Sequence, residues 1–430
     1  MFTHLNYWEI FFIFWGMFAV LAFLFGLFFA VGDRTRYRDA TRLEPVDSRE
    51  FLEAIGRLSN SPIEHGGDIK ILNNGDEFFP ALLDALKNAK KSITFTTYIW
   101  EPGKVSTAVF EVLIERARAG IPVKLLLDAF GCYLIPQDKV EELKKAGGQV
   151  SKFRATKFGK LTRLHRRTHR RAIVIDGRVA FTGGMSVADK WLGNAKNPEQ
   201  WRDTMFELRG KMALSIQAAF SELWAGSRGE ILVGDAYYPV PEKDASPDMR
   251  YVNVTSSPAA DTQPLPKFFW LSMASAQKSI YITSSYVVPD EHLRAILAKQ
   301  AQKGIDVRLL VPSKHSDAKP IQWASHFYFK DFLKAGVKIY IYQPTMIHSK
   351  TMVIDGKWSV IGSANMDMRS VELNEENVLG ILDAKLAQDL EKDFTEDLSK
   401  SKQITLHDWQ KRSLGEKILE TIFVNFKKQY

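Results

Sequence analysis

The chain has 430 residues, a hydrophobic fraction of 45% and a formal net charge of +8. That length holds two domains or one duplicated domain, and the apolar content excludes global disorder. The positive balance favours acidic partners, phospholipid headgroups or nucleic acid, while the lone Cys132 excludes an internal disulfide and the nine histidines carry no metal-ligand spacing.

Residues 10–31 run for 22 positions without a charge, dense in Phe and Leu. As a helix they would span roughly 33 Å, the thickness of a bilayer's hydrocarbon core. A cleaved signal peptide would carry Lys or Arg before a shorter apolar run. The sequence therefore predicts one N-terminal transmembrane helix, an anchor over residues 1–32. Arg34, Arg36, Arg38 and Arg42 follow it, and only His4 stands on the other flank. The positive-inside rule then puts the N-terminus outside and everything after the single pass in the cytoplasm. Residues 33–73 are polar and mixed, a juxtamembrane linker with a short helix near residues 48–58.

A helix is expected over residues 78–89. Next comes a strand over residues 92–100, rich in β-branched and aromatic side chains. A helix over residues 105–119 stops at Gly120, residues 123–127 form a second strand, and a helix over residues 137–145 ends at Gly147-Gly148. This alternation implies a parallel sheet covered by helices. Then comes His169-Arg170-Arg171-Ala172-Ile173-Val174-Ile175-Asp176-Gly177, with Gly183-Gly184-Met185-Ser186 after it.

The second half repeats that order. Lys278-Ser279-Ile280 answers Lys91-Ser92-Ile93, and Gly304-Ile305 answers Gly120-Ile121. His348-Ser349-Lys350 leads through Met352-Val353-Ile354 to Asp355-Gly356, with Gly362-Ser363-Ala364-Asn365 following. His169 to Asp176 and His348 to Asp355 are both seven apart, and each histidine is fourteen from its Gly183 or Gly362. An internal duplication is the economical explanation. Within each copy the apolar run reads as a strand and Asp-Gly as a hairpin turn, so His348 and Lys350 share a face. An imidazole beside an ammonium suits a phosphate. The seam falls near residues 234–257, where Pro239, Pro241 and Pro247 break regular structure. The domains expected are residues 74–235 and 236–400, then an amphipathic helix within residues 401–430. That last helix groups Leu414, Ile418, Leu419, Ile422, Phe423 and Phe426. It packs on the second domain or lies in a bilayer interface.

The tandem His-x-(Lys/Arg)-x4-Asp-Gly motifs resemble the phospholipase D superfamily over residues 74–398. Asn74-Gly75-Asp76-Glu77, Thr97-Tyr98-Ile99-Trp100, Asn365-Met366-Asp367-Met368-Arg369-Ser370 and Leu373-Asn374-Glu375-Glu376 are similar to its bacterial cardiolipin synthase branch. The resemblance implies two tandem α-β-α sandwich units related by a pseudo-two-fold, with both motifs in one site, at a bacterial inner membrane. It implies a phosphatidyl group transferred to phosphatidylglycerol through a phosphohistidine, with release of an alcohol and no metal or cofactor. His169 is then the nucleophile and His348 the acid/base, an order that the pseudo-symmetry leaves open. Arg171 and Lys350 would neutralise phosphate oxygens, and Asp176 and Asp355, at turns, have a mainly structural part in the motifs. Asp203 and Glu376 would fix the imidazoles, with Asn365 and Ser186 in support.

The first motif departs from the pattern, with Arg171 for lysine and Ser186 in the place of Asn365. It is read as a lopsided working site, since Arg binds phosphate oxygens bidentately; a decayed half-site is the alternative. Arg163, Arg166 and Arg167 form either a headgroup-attracting collar or a solvated basic face. Hydrolysis of phospholipids, a membrane-tethered nuclease and a non-catalytic lipid binder are the competing functions. The partners expected are phospholipids and the membrane, not nucleic acid.

Overall fold

The computed structural model describes residues 6–30, 37, 43–153, 167–241, 246–257 and 263–426. The chain divides into residues 1–42 and residues 43–430. Among its described residues the first unit contains one helix, α1 (Tyr7–Ala30), 24 residues long. Among the described residues no helix is long and apolar enough to cross a membrane. The expected span lies partly outside them: of α1, the side chains of residue 10 and residues 22–30 are not described, nor are residues 31 and 32.

In the second unit, α2 (Arg49–Leu58) is capped by Ser48, whose hydroxyl accepts the Phe51 N–H. The two short strands β1 (Glu64–His65) and β2 (Asp68–Asn73) follow. Then come α3 (Asn74–Lys87), β3 (Ile93–Thr97), α4 (Lys104–Arg118), β4 (Val123–Asp128), α5 (Gln137–Lys145) and β5 (Gln149–Phe153). The first motif forms the hairpin β6 (Ala172–Ile175) and β7 (Val179–Gly183), before β8 (Thr204–Arg209) and α6 (Lys211–Arg228).

The second half runs β9 (Arg250–Ser256), α7 (Pro264–Ala274), β10 (Ser279–Thr283), β11 (Val287–Val288), α8 (Glu291–Gln302), β12 (Asp306–Pro312), α9 (Lys319–Ala335) and β13 (Lys338–Tyr342). The second motif makes β14 (Thr351–Ile354) and β15 (Trp358–Gly362), then β16 (Met366–Asp367), α10 (Met368–Glu372), β17 (Glu376–Leu382) and α11 (Ala384–Ser399). β18 (Ser401–Ile404), α12 (Leu406–Gln410) and α13 (Leu414–Val424) close the described chain.

The strand orders are the duplication in space. One sheet reads β2-β8-β7-β6-β3-β4-β5, and the other contains β9-β17-β15-β14-β10-β12-β13 with β1 and β18 added at its edges. Both are mixed, not parallel throughout as the alternation of elements implied. Only β3-β4-β5 and β10-β12-β13 run parallel. The physical reason is the Asp-Gly turn: Asp176 and Gly177 have φ of 57° and 65°, Asp355 and Gly356 56° and 64°. Two positive φ values in succession make a tight hairpin whose strands must be antiparallel neighbours.

One core layer joins α3, α4 and α5 to the first sheet, through Phe78, Leu82, Phe110, Leu113 and Leu143. A second core, with Ile216, Phe220 and Trp224 of α6 and Leu386 and Leu390 of α11, touches residues of both sheets, Val174 and Phe206 from one and Val353 and Leu379 from the other. The lobes therefore share apolar burial. Residues 43–73 are not a free linker. Phe51 of α2 meets Trp358 at 5.1 Å in the second lobe, β1 pairs with β9, and β2 edges the first sheet beside β8.

The tail helix α13 packs on α9, with Phe423 stacked 4.9 Å from Trp323 and Val424 buried. It turns Leu414, Ile418, Ile422 and Phe426 outward.

Candidate active site

Each motif histidine is pinned from the opposite lobe. The His169 N–H donates to the Glu375 carbonyl at 2.9 Å, and Thr168 bridges Glu375. Reciprocally, the His348 N–H donates to the Arg202 carbonyl at 2.7 Å, and Arg202 bridges Ile347. Asp128 of β4 steadies the first segment by accepting the Thr168 N–H at 2.9 Å.

Because Glu375 and Arg202 each precede an acidic residue, this pinning crosses the carboxylates between lobes. Nδ1 of His169 lies 3.0 Å from Glu376 Oε1 and 3.1 Å from Oε2. Nδ1 of His348 lies 2.7 Å from Asp203 Oδ2. Both carboxylates have further donors. Ser363 Oγ donates to Glu376, while Trp191 Nε1 at 2.9 Å and the Thr204 N–H at 2.8 Å donate to Asp203. A carboxylate on Nδ1 fixes the tautomer that leaves Nε2 free to accept a proton or attack.

Burial sets the charge states. Desolvation, with Arg171 adding to it, lowers the His169 pKa to about 4 against the pull of Glu376. His348 is held well below the ordinary imidazole range by burial, then by Lys350 and Arg171. Both rings are thus neutral at pH 7. Glu376 stays ionised: His169, Ser363 and Arg171 outweigh its desolvation. Burial raises Asp203 to about 6 and lowers Lys350 to about 7. The charge of Arg171 bears on both imidazoles and both carboxylates, so the two motifs share one electrostatic site.

Lys350 Nζ sits 3.2 Å from each ring nitrogen of His348 and 3.0 Å from Ser285 Oγ. Arg171 is wholly buried; its Nη1 donates to the His169 carbonyl at 2.7 Å, and its Nε and Nη2 have no hydrogen-bond partner among the described residues. Buried unpaired guanidinium donors are costly unless a ligand satisfies them.

The site opens through a cleft of about 690 Å³ whose lining includes Tyr98, Phe130, Arg167, His169, Tyr286, Asp317, Asn365, Asp367 and Arg369. Of the sequence-based candidates, Asn365 lines it with an Oδ1 that has no partner among the described residues, whereas the Ser186 hydroxyl accepts the Ile99 N–H at 3.5 Å. Arg167 lies on the rim; Arg163 and Arg166 fall outside the described residues. Asp176 and Asp355 are not brought to the imidazoles. They sit beyond the far ends of β6 and β14, accepting the N–H groups of Lys90, Lys91 and Ser92, and of Gln277, Lys278 and Ser279, at 2.6–3.1 Å.

Several contacts escaped sequence reasoning. Tyr98 meets the His169 ring edge-on at 4.8 Å, Trp191 and Trp201 each lie 5.5 Å from His348, and Tyr286 donates to Asp317 at 2.6 Å. The Trp201-Arg202-Asp203 run carried a signal for the second of these, since an aromatic beside a strand-initial acid is readable. Tyr286-Asp317 joins distant segments and carried none.

Comparisons with known proteins fit this geometry. The family described as "Cardiolipin synthase, PLD-like domain" matches twice, at residues 82–224 and 271–398. Cardiolipin synthase 2 of Bacillus anthracis is 35% identical over 368 residues, 85% of this chain and 71% of that protein. Cardiolipin synthase 1 of Bacillus cereus is 33% identical over 387 residues, 88% and 76% of the two chains. Among solved structures, phosphatidylserine synthase of Haemophilus influenzae superposes with a TM-score of 0.70 at 16% identity, covering 89% of this chain and 98% of that one, a likeness of fold. With both motif-bearing halves matched and relatives this similar along most of their length, the chain belongs to the cardiolipin synthase family of phospholipase D-like phosphatidyltransferases.

Proposed function

We propose that this protein transfers a phosphatidyl group from a phospholipid donor to the headgroup hydroxyl of phosphatidylglycerol, forming cardiolipin and releasing an alcohol. The observation that carries the reading is Arg171: a fully buried guanidinium with two unpaired donors, acting on two neutral, carboxylate-oriented imidazoles. A phosphodiester anion supplies the missing acceptors.

His169, which lines the cleft, is the nucleophile. Its Nε2 attacks phosphorus, the P–N bond forms, and the P–O bond to the donor's headgroup breaks. The substrate's negative charge raises the His348 pKa, so that this ring is protonated and gives its proton to the leaving oxygen. The acceptor hydroxyl then returns a proton to His348 and attacks phosphorus, breaking P–N. Lys350 and Arg171 offset the charge on the non-bridging oxygens, and Glu376 and Asp203 hold each imidazole and stabilise its cation. Asn365 contributes a polar group to the substrate pocket, and Ser186 is a backbone tether. Asp176 and Asp355 hold the hairpins.

The two lobes are read as a pseudo-two-fold pair about this cleft, supported by the reciprocal His169–Glu375 and His348–Arg202 bonds. Residues 10–31 are read as a single membrane anchor in a bacterial inner membrane, with the catalytic part cytoplasmic, supported by the uncharged run and the arginines after it.

Expression in a cell without cardiolipin, followed by thin-layer analysis of lipids, tests the reading. Cardiolipin should appear with the wild type and not with His169→Ala. Phosphatidic acid alone would assign hydrolysis instead, and full activity of His169→Ala would end the mechanism.

A further inference from the structure

Three large apolar side chains stand out of the cleft rim: Phe130, Tyr133 and Leu134 are 58%, 71% and 47% exposed. They lie on the turn between β4 and α5, and that turn is built. Asp128 Oδ1 accepts the N–H groups of Phe130 and Gly131, both at 2.9 Å, and Cys132 and Ile135 are buried beneath it. A Cβ on Gly131 would meet the Tyr98 carbonyl at 2.0 Å, so the turn lies hard against the residue whose ring touches His169. Phe130 and Tyr133 line the cleft, and the Arg167 guanidinium stacks 4.5 Å over the Phe130 ring.

A hydrogen-bonded turn that holds two aromatics and a leucine in water is holding them for something. We propose that this turn seats the catalytic lobes in an anionic lipid bilayer, with Phe130, Tyr133 and Leu134 at the level of the acyl boundary and Arg167 among the headgroups. The inference rests on the reading that the cleft takes a phospholipid. Three side chains are too few for a protein partner, whose stable interfaces take about 20–30 residues a side. Aromatic rings with a basic neighbour are the composition of membrane–water interfaces. The net charge of +8 supplies the matching long-range attraction. A bilayer met at this rim delivers its lipid headgroups to His169 without full withdrawal of the tails into water.

The test uses the full chain in vesicles of phosphatidylglycerol and phosphatidylethanolamine, with a nitroxide on Tyr133→Cys. Native Cys132 is buried, and burial raises its thiol pKa, so labelling is confined to the introduced cysteine. A label on Lys145→Cys, at the other end of α5 and about 13 Å along a nine-residue helix, is the control. On transfer from detergent to vesicles, the label at 133 should lose collisions with a water-soluble nickel chelate and gain them with oxygen, while the label at 145 should not change. Adding Phe130→Ser and Leu134→Ser should restore nickel access at 133. Unchanged nickel access in vesicles overturns the proposal, as does spin–spin broadening that brings two copies together there. The readout does not need catalysis. An inserted turn on a chain that makes no cardiolipin refutes the function alone, and an active chain with a water-exposed turn refutes this inference alone.

Discussion

Lys350 and the cleft residue Asp367, the latter raised to about 7 by burial, are groups whose charge is in play near neutrality. Burial brings the Lys350 ammonium down to about 7, with Asp203 pulling the other way and Arg171 adding to burial. In the proposed mechanism the charged form meets phosphate, and it is present below that value and lost above it. The kcat/KM profile, which reports the free enzyme, should therefore fall as pH rises through about 7. In Lys350→Arg the alkaline limb should move upward, because guanidinium stays charged; a wild-type profile flat to alkaline pH would contradict this. The neighbouring glycines show how the two half-sites differ. In the first lobe Gly184 leaves room for Asp203, whose Oδ1 would stand 2.1 Å from an added Cβ. In the second, Ser363 fills the equivalent place and donates to Glu376. Gly184→Ala should push Asp203 off His348 and lower kcat about 10²-fold, with circular dichroism verifying that the fold survives.

At the scale of elements, the motif hairpins separate chemistry from architecture. The histidine stands before one end of the strand, and the aspartate lies beyond the other, where it gathers three backbone N–H groups. Hydrogen bonds to a charged acceptor contribute about 1.5–3 kcal/mol each. Two of the three bonds are exposed to solvent, which cuts their worth well below that range, so Asp355→Ala is expected to cost about 2–3 kcal/mol of stability, seen as a lower denaturation midpoint. An unchanged midpoint with lost activity would return Asp355 to the chemistry. The tail helix shows the limit of periodicity. Of the apolar group Leu414, Ile418, Leu419, Ile422, Phe423 and Phe426, α13 turns Phe423, with Val424, onto α9 and leaves Leu414, Ile418, Ile422 and Phe426 outward.

For the whole molecule, the consequence is that neither lobe holds a complete site. The carboxylate of His169 comes from the second lobe, and that of His348 from the first. Glu376→Gln, although remote in sequence, should suppress the phosphohistidine on His169 by about 10³–10⁴-fold, the scale of losing an imidazole-orienting carboxylate. Mass spectrometry of the acid-labile adduct measures it. Normal adduct formation in that variant would show that the crossed pairing has no part in the first step. Either lobe expressed by itself should expose the α6/α11 core and aggregate, because Val353, Leu379 and Leu390 bury their surface in the same cluster as Val174 and Phe220.

Read along the chain alone, the residues already specified the duplication, the α/β class, the hairpins and the histidine that stands before each of them. All of these are encoded by residues a few positions apart: Asp-Gly requires its turn, and alternate strand positions share a face. The helices over 104–118 and 137–145 were legible for the same reason. Tertiary structure alone decided which acid serves which histidine and that residues 43–73 stitch the lobes together. It also decided that Arg171 is buried with donors to spare and that Phe130, Tyr133 and Leu134 stand at the cleft rim. Those outcomes depend on contacts between segments roughly 30 to 300 positions apart, from Gly131 against Tyr98 to Phe51 against Trp358, and spacing along a chain carries no information about which distant surfaces exclude water together.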